Sequence, residues 1–221
     1  MTDLTSARRE PIDLSLYLVT DQALCGARGV VATVRAALRG GITALQYRAK
    51  EIDLRDAIVE ASALASLAHH YGIPFIVNDR LDLALAVDAD GLHVGQSDMP
   101  PRLARRFLGP DKILGFSVTT ADEIATIEAD IIDYIGLGPV YATATKSDAA
   151  TPLGLDQFRA LRRAITLPVV AIGGIGFDRA AEVIAAGADG IAVVSAICTA
   201  PDPTAASHTL LQHVIAARRP S

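Results

Sequence analysis

Tryptophan is absent from the 221 residues, and five Tyr with five Phe hold the aromatic share to 5%. A core without large rings must come from aliphatic side chains, and Ala, Val, Ile and Leu supply most of the 51% hydrophobic content. That mix suits parallel strands buried on both faces beneath Ala-rich helices. Cysteine is equally sparse. Cys25 and Cys198 make no C-x-x-C or Cys/His cluster, which excludes a local thiol redox motif or zinc site and leaves two reduced, buried thiols of a cytoplasmic protein as the expectation. No apolar run reaches the ~18 residues of a membrane span. Met1–Pro11 is polar and carries no signal-peptide core. An excess of positive charge is missing too: the formal net charge of −5 argues against a broad nucleic-acid surface. The partners expected are therefore small molecules, with neither nucleic acid nor membrane. The oligomeric state is left open, a homo-oligomer included.

The chain is long enough for one domain with a full core, and halving it would leave two marginal units. Residues 1–12 read as a flexible arm and 13–219 as the domain. Within it, short β-branched runs alternate with Ala/Leu-rich stretches of helical period. The strand-like runs are Leu14–Thr20, Ala44–Tyr47, Pro74–Asn78, Gly91–Gly95, Ile113–Val118, Tyr134–Gly138, Pro168–Ile172 and Gly190–Ser195. Helices are expected at Val30–Arg39, Leu54–Tyr71, Arg80–Val87, Pro101–Leu108, Ala121–Glu128, Leu155–Ala164, Asp178–Ala186 and Thr204–Arg218. Leu54, Ile58, Ala61, Leu64, Ala65 and Ala68 define one buried helical face. Thr120 and Glu123 have capping-box spacing. Eight strand–helix units make an α/β fold, a (β/α)8 TIM barrel, compact beside the usual length of about 250 residues. A doubly wound open sheet competes. An echo favours closure: Ala89-Asp90-Gly91-Leu92-His93-Val94 resembles Ala188-Asp189-Gly190-Ile191-Ala192-Val193, four units apart. In both copies, Gly is expected to turn the chain tightly from helix to strand.

Barrel enzymes collect their chemistry at the carboxyl ends of the strands. The polar residues following the runs are Gln46-Tyr47-Arg48-Ala49-Lys50, Asn78-Asp79, Gln96-Ser97-Asp98, Ser117, Thr143-Ala144-Thr145-Lys146, Gly173-Gly174-Ile175-Gly176 and Val194-Ser195. Asp79 and Asp98 fall on adjacent strand ends, where paired like charges call for a cation or a shared proton. Mg²⁺ fits, since it takes one or two carboxylates and completes its shell with water and phosphate oxygens. Arg48, Lys50 and Lys146 add positive charge, so the rim describes a metal–diphosphate site. The plain structural alternative has Asp79 and Asp98 as helix caps. The glycines after strand seven, with Ser195, form a second anion candidate at the usual phosphate position of this fold, unless they only make a tight turn. Two anion sites imply two phosphorylated substrates.

Taken in order, Gln46-x-Arg48-x-Lys50, Asn78-Asp79-Arg80, Gly91-Leu92-His93-Val94-Gly95-Gln96-x-Asp98, Gly115-x-Ser117, Thr143-x-Thr145-Lys146 with Pro152-Leu153-Gly154, Ala171-Ile172-Gly173-Gly174-Ile175 and Val194-Ser195-Ala196-Ile197 resemble the thiamine phosphate synthase family from about Leu16 to Ile197. The resemblance implies a Mg²⁺-dependent transferase joining 4-amino-2-methyl-5-(diphosphooxymethyl)pyrimidine to a thiazole phosphate, with release of diphosphate. It implies that Gln46, Arg48, Lys50 and Asn78, with the intervening Tyr47 and Ala49, hold the pyrimidine diphosphate, and that Asp79 and Asp98 hold the metal. Ser117 and Lys146 would contact the pyrimidine and its diphosphate. Thr143, Ala144, Thr145, Gly173, Gly174, Val194 and Ser195 would hold the thiazole phosphate. Arg48, Lys50, Ser117 and Lys146 would carry the catalysis, a dissociative departure of diphosphate followed by attack of the thiazole nitrogen. Thr119, Ala49 and Ala142 depart from the family pattern, in which His, an acidic residue and Pro are frequent.

Other polar residues take structural readings. His93 reads as a hydrogen-bonded core histidine, and His69 and His70 as surface residues closing a helix. Asp90 and Asp189 read as turn caps, and Tyr47 as a side chain pointing away from Gln46 and Arg48. Residues 143–152 read as a mobile lid. Two other functions share the pocket: a metal-free thiazole tautomerase of the same fold, and a non-catalytic phosphate-ligand sensor.

Overall fold

The computed structural model describes residues 12–50, 52–143, 145 and 151–218. The expected arm, residues 1–12, therefore lies outside the described residues apart from Ile12. Eight parallel strands close in sequence order: β1 Leu16–Val19, β2 Ala44–Tyr47, β3 Phe75–Asn78, β4 Gly91–Val94, β5 Ile113–Val118, β6 Tyr134–Leu137, β7 Val169–Ile172 and β8 Gly190–Val193. Pairing of β1 with β8, Tyr17 opposite Ala192, completes the ring. The open-sheet alternative is thereby removed. The helices are α1 Gln22–Cys25, α2 Val30–Arg39, α3 Leu54–His70, α4 Leu81–Ala86, α5 Pro101–Leu108, α6 Ala121–Ala125, α7 Gly154–Arg162, α8 Ala180–Ala185, α9 Ser195–Cys198 and α10 Pro203–Arg218. The two four-residue helices, α1 and α9, were not legible as helices because a single turn has no periodicity to read.

Strand alternation divides the core in two. Leu16, Leu18, Leu45, Tyr47, Val77 and Leu92 face outward, into the shell shared with the helices. Tyr17, Val19, Ala44, Ile76, Tyr134, Val170 and Ala192 fill the barrel interior. On α3 the buried face is Ala57, Ala61, Leu64, Ala65 and Ala68. Leu54 belongs to the first turn and is exposed, so it leaves the expected stripe. Thr120 and Glu123 form the capping box of α6.

The amino ends of the strands carry a fourfold clamp. The residue before each even-numbered strand grips both backbone groups of one residue of the preceding odd-numbered strand. Thr43, Asp90, Asp133 and Asp189 donate their backbone N–H to the carbonyls of Leu16, Phe75, Leu114 and Val169 at 2.8–2.9 Å. Their side-chain oxygens accept the N–H of the same four residues at 2.9, 2.8, 2.7 and 2.7 Å. Each aspartate also meets a basic group: His69 at 2.8 Å, the fully buried Arg105 at 2.8 Å and Arg162 at 3.0 Å. Asp90 and Asp189 are thus strand clamps rather than turn caps. The Asp-Gly echo has a second half. A Cβ on Gly91 would lie 2.5 Å from the Ile113 carbonyl oxygen, and one on Gly190 only 1.7 Å from that of Leu14. These glycines admit the next strand at close range; neither takes a positive φ, so the expected turning role is corrected.

Candidate active site at the carboxyl rim

The clamps fix the floor, so the opposite rim is free to carry function. Strand β2 alternates there. Gln46 turns into the barrel, while the Tyr47 hydroxyl donates to Glu60 Oε2 of α3 at 2.6 Å and Ala49 is buried in the outer shell. The side chains of Tyr47 and Ala49 therefore leave the substrate set, because successive residues of a strand face opposite ways. Arg48 is held at both ends. Its N–H donates to Thr20 Oγ1 at 3.1 Å, and its guanidinium pairs with Asp21 Oδ2 at 3.1 Å. Asp21 also caps α1 by accepting from Leu24 N–H at 3.1 Å. Thr20 and Asp21 were missed because the sequence reading of the rim began at the second strand; the polar pair ending the first was the available signal.

Asp79 follows β3 with φ of 61°, a left-handed conformation that Asp tolerates better than most residues. Its N–H donates to the His93 carbonyl at 2.8 Å, which ties this conformation to the end of β4. Asn78 Nδ2 donates to one carboxylate oxygen, and Lys50 Nζ lies 3.7 Å from the other. The Asp98 carboxyl group is close enough to that of Asp79 for the two to interact directly. Burial, and then Asp98, push Asp79 up to about 6, against the pull of Lys50 and Arg48. Asp98 Oδ2 accepts the Gly95 N–H at 2.7 Å. Neither aspartate caps a helix: α4 begins after Arg80 and α5 after Pro100, with no side-chain cap on either. The capping alternative fails.

Ser117 Oγ is 2.8 Å from His93 Nε2, and Gln96 Nε2 donates to the Ser117 carbonyl at 2.7 Å. His93 is a hydrogen-bonded interior histidine, driven by burial down to about 4 and so neutral. Thr119, where His was the family expectation, donates to the Gly138 carbonyl at 2.7 Å and so has a structural partner. At the far side of the mouth, Gly173 and Gly174 have φ of 100° and 62°. A Cβ on Gly173 would lie 2.5 Å from Pro139 Cβ, and one on Gly174 2.5 Å from the Ala142 carbonyl oxygen. The two glycines thus seat the β6 loop against the end of β7. Thr143 Oγ1 accepts the Thr145 N–H at 3.2 Å. Arg179, which the sequence places on a solvated helix face, donates to the Gly174 carbonyl at 2.8 Å and stacks 4.4 Å above the Tyr141 ring, adding a cation beside the glycine turn. Val194 and the exposed Ser195 open α9 directly after β8. Ala144 and Lys146 lie outside the described residues, as does most of the expected lid.

The sequence pattern of a family described as thiamine monophosphate synthase matches residues 16–197, which span every strand and every rim residue above. The chain belongs to the thiamine monophosphate synthase family. A thiamine-phosphate synthase of Moorella thermoacetica is 50% identical over 203 residues, covering 92% of this chain and 97% of the relative. One of Chloroflexus aurantiacus is 52% identical over 199 residues, 90% and 92% of the two chains. The solved thiamine phosphate pyrophosphorylase of Pyrococcus furiosus superposes with a TM-score of 0.85 at 39% identity, covering 94% of this chain and 98% of its own.

Two arrangements lie apart from the rim motifs. Cys25 and Cys198 are both free and buried, and their thiols meet behind the rim. The neighbouring Cys198 thiol draws Cys25 down to about 7, Cys198 is pushed up, and its Sγ lies 3.9 Å from the Val19 carbonyl oxygen. A cleft of about 500 Å³ between α7 and α8, lined by Arg159, Arg162 and Arg163, lies near the clamped floor. No carboxylate is among its lining residues. Among the described residues, no helix is long and apolar enough to cross a membrane.

Proposed function

We propose that this chain is a cytoplasmic, Mg²⁺-dependent enzyme. It condenses 4-amino-2-methyl-5-(diphosphooxymethyl)pyrimidine with 4-methyl-5-(2-phosphooxyethyl)thiazole, or its carboxylate form, to thiamine phosphate and diphosphate. The observation that carries the reading is the meeting of Asp79 and Asp98 at the mouth, with Lys50 3.7 Å away. Two oxygen donors with room for water and phosphate suit Mg²⁺, and among the described residues no cluster of three or more His, Cys, Asp or Glu competes for a metal. The two unlinked thiols are consistent with a reducing compartment.

Asp79 and Asp98 would hold the ion. When bound, Mg²⁺ supplies Lewis-acid neutralisation of the leaving diphosphate. Arg48, steadied by Asp21, and Lys50 add fixed positive charge where negative charge grows. Lys146 carries the same role on the strength of the family pattern. As the methylene C–O bond breaks, its electron pair leaves with diphosphate, and the pyrimidine amino group feeds electrons to the methylene. Thr143, Thr145, Gly173, Gly174 and Ser195 hold the thiazole phosphate so that the ring nitrogen forms the new C–N bond. No protein base is required, and pre-orientation supplies much of the rate. A metal-free tautomerase would have no use for the paired carboxylates.

The test is to incubate both substrates with Mg²⁺ and follow thiamine phosphate and diphosphate. One-to-one formation is expected, with turnover sharply reduced in folded Asp79→Ala. No product from folded, metal-replete protein would reject the reading.

A further inference from the structure

Three polar groups with no place in the reaction so far, Tyr17, Tyr134 and His93, run through the barrel interior and link Gln46 to Ser117 as one chain. Gln46 Nε2 donates to the Tyr17 hydroxyl at 2.9 Å, and the Tyr17 and Tyr134 hydroxyls are 2.8 Å apart. The Tyr134 hydroxyl is 2.8 Å from His93 Nδ1, and His93 Nε2 is 2.8 Å from Ser117 Oγ. Gln46, Tyr17, Tyr134 and His93 are all buried. The chain joins strands β2, β1, β6, β4 and β5, and its two ends are side chains assigned to the pyrimidine.

Room for it is made by glycine. A Cβ on Gly115 would lie 2.4 Å from His93 Nδ1 and 2.2 Å from Tyr134 Cζ, between the two bonded groups. Gly136 faces the same imidazole, 3.3 Å from its Cε1. The glycine of the Gly115-x-Ser117 motif is thus explained by the contact between Tyr134 and His93.

Each hydroxyl of such a chain has one proton to give, so direction at one end fixes direction at the other. The Gln46 amide donates to Tyr17, so Tyr17 must donate to Tyr134 and Tyr134 to His93 Nδ1. Burial keeps both phenols protonated, and Nδ1, filled by the Tyr134 hydroxyl, holds no proton of its own. His93 therefore carries its single proton on Nε2 and donates it to Ser117 Oγ. Ser117 is left with its own O–H to give. Gln46 Oε1, which accepts from no described residue, is left to receive.

We propose that Tyr17, Tyr134 and His93 are positioning residues. Their one-way hydrogen-bond chain sets Gln46 as an acceptor and Ser117 as a donor, and thereby selects a 4-aminopyrimidine over its 4-oxo counterpart. The inference rests on the assignment of Gln46 and Ser117 to the pyrimidine. An aminopyrimidine edge offers an exocyclic N–H donor beside a ring-nitrogen acceptor. The oxo form offers the reverse, and an unpaired buried group would be left at each end of the chain.

The first test needs no turnover and so stands apart from the synthase assay. Nitrogen NMR of the ¹⁵N-histidine-labelled protein should show His93 protonated at Nε2 with a bare Nδ1. The opposite tautomer would overturn the inference, whatever the enzyme makes. The second compares kcat/KM for the amino and oxo pyrimidine diphosphates in wild type, Tyr134→Phe and Tyr17→Phe. Each variant should lower the discrimination ratio by about tenfold or more, the worth of one buried hydrogen bond, with the KM for thiazole phosphate unchanged. Unchanged discrimination in either folded variant would overturn the inference. Should both variants fail to fold, the wild-type tautomer alone decides.

Discussion

Acid should weaken this barrel through one imidazole. Burial holds His93 at about 4 in the folded protein, against an ordinary value of 6.5. The unfolded chain therefore takes up the proton first. The stability contributed by neutral His93 is fully present above about pH 6.5 and is lost as the pH falls towards 4. At about 1.4 kcal/mol per pH unit, that gap amounts to about 3 kcal/mol, a large part of the ~5–15 kcal/mol of an ordinary domain. Asp79, raised to about 6, acts in the opposite sense over an overlapping range, because its folded form holds a proton that the unfolded form has released. The informative quantity is therefore a difference. Urea unfolding of metal-free wild type and His93→Gln, at a series of pH values from about 7.5 to 4.5, leaves Asp79 common to both. The variant should be less stable at neutral pH by about 1–3 kcal/mol, having lost bonds to Tyr134 and Ser117. The gap should shrink by about 2–3 kcal/mol as the solution is acidified. Parallel curves would refute the reasoning, for they would mean that His93 protonates as readily folded as unfolded.

Three further outcomes follow from particular contacts. Asp21→Asn removes the charge opposite Arg48, 3.1 Å away, and should raise the KM for the pyrimidine diphosphate by about tenfold with little change in that for the thiazole phosphate. Gly190→Ala places a methyl carbon 1.7 Å from the Leu14 carbonyl at the barrel seam, so thermal unfolding should show a loss of about 3 kcal/mol or more. Ser207→Ala acts the other way. Its buried hydroxyl has no partner among the described residues, and the variant should gain about 1 kcal/mol in urea unfolding.

The barrel was legible because β-branched runs and Ala/Leu helices differ in period, and two strands, Ala44–Tyr47 and Ile113–Val118, coincide with their expected bounds. The rim was legible for a related reason. Polar residues after each run had no core to fill, so Arg48, Asp79, Asp98 and Ser117 stood out before any geometry was known. Interior groups gave no such signal. Tyr17 and Tyr134 sit in strands as apolar-looking aromatics, and only closure of the ring brings their hydroxyls to 2.8 Å. The same is true of Cys25 and Cys198, 173 positions apart in sequence yet in contact. Tyr47 and Ala49 show a different loss: the Gln-x-Arg-x-Lys spacing named a segment, whereas alternation along the strand gives only every second side chain to the mouth. Asp90 and Asp189 looked like local caps because their partners, Phe75 and Val169, belong to neighbouring strands.

The claim on which the function depends is that Asp79 and Asp98 share an ion that grips the diphosphate. Calorimetric titration of diphosphate into the protein, with and without Mg²⁺, tests it most directly in wild type and Asp79→Asn. Mg²⁺ should tighten diphosphate binding by at least about a hundredfold in the wild type, a coupling of about 3 kcal/mol, and by far less in the variant. Equal affinity with and without the ion, or the same coupling in both proteins, would contradict the account.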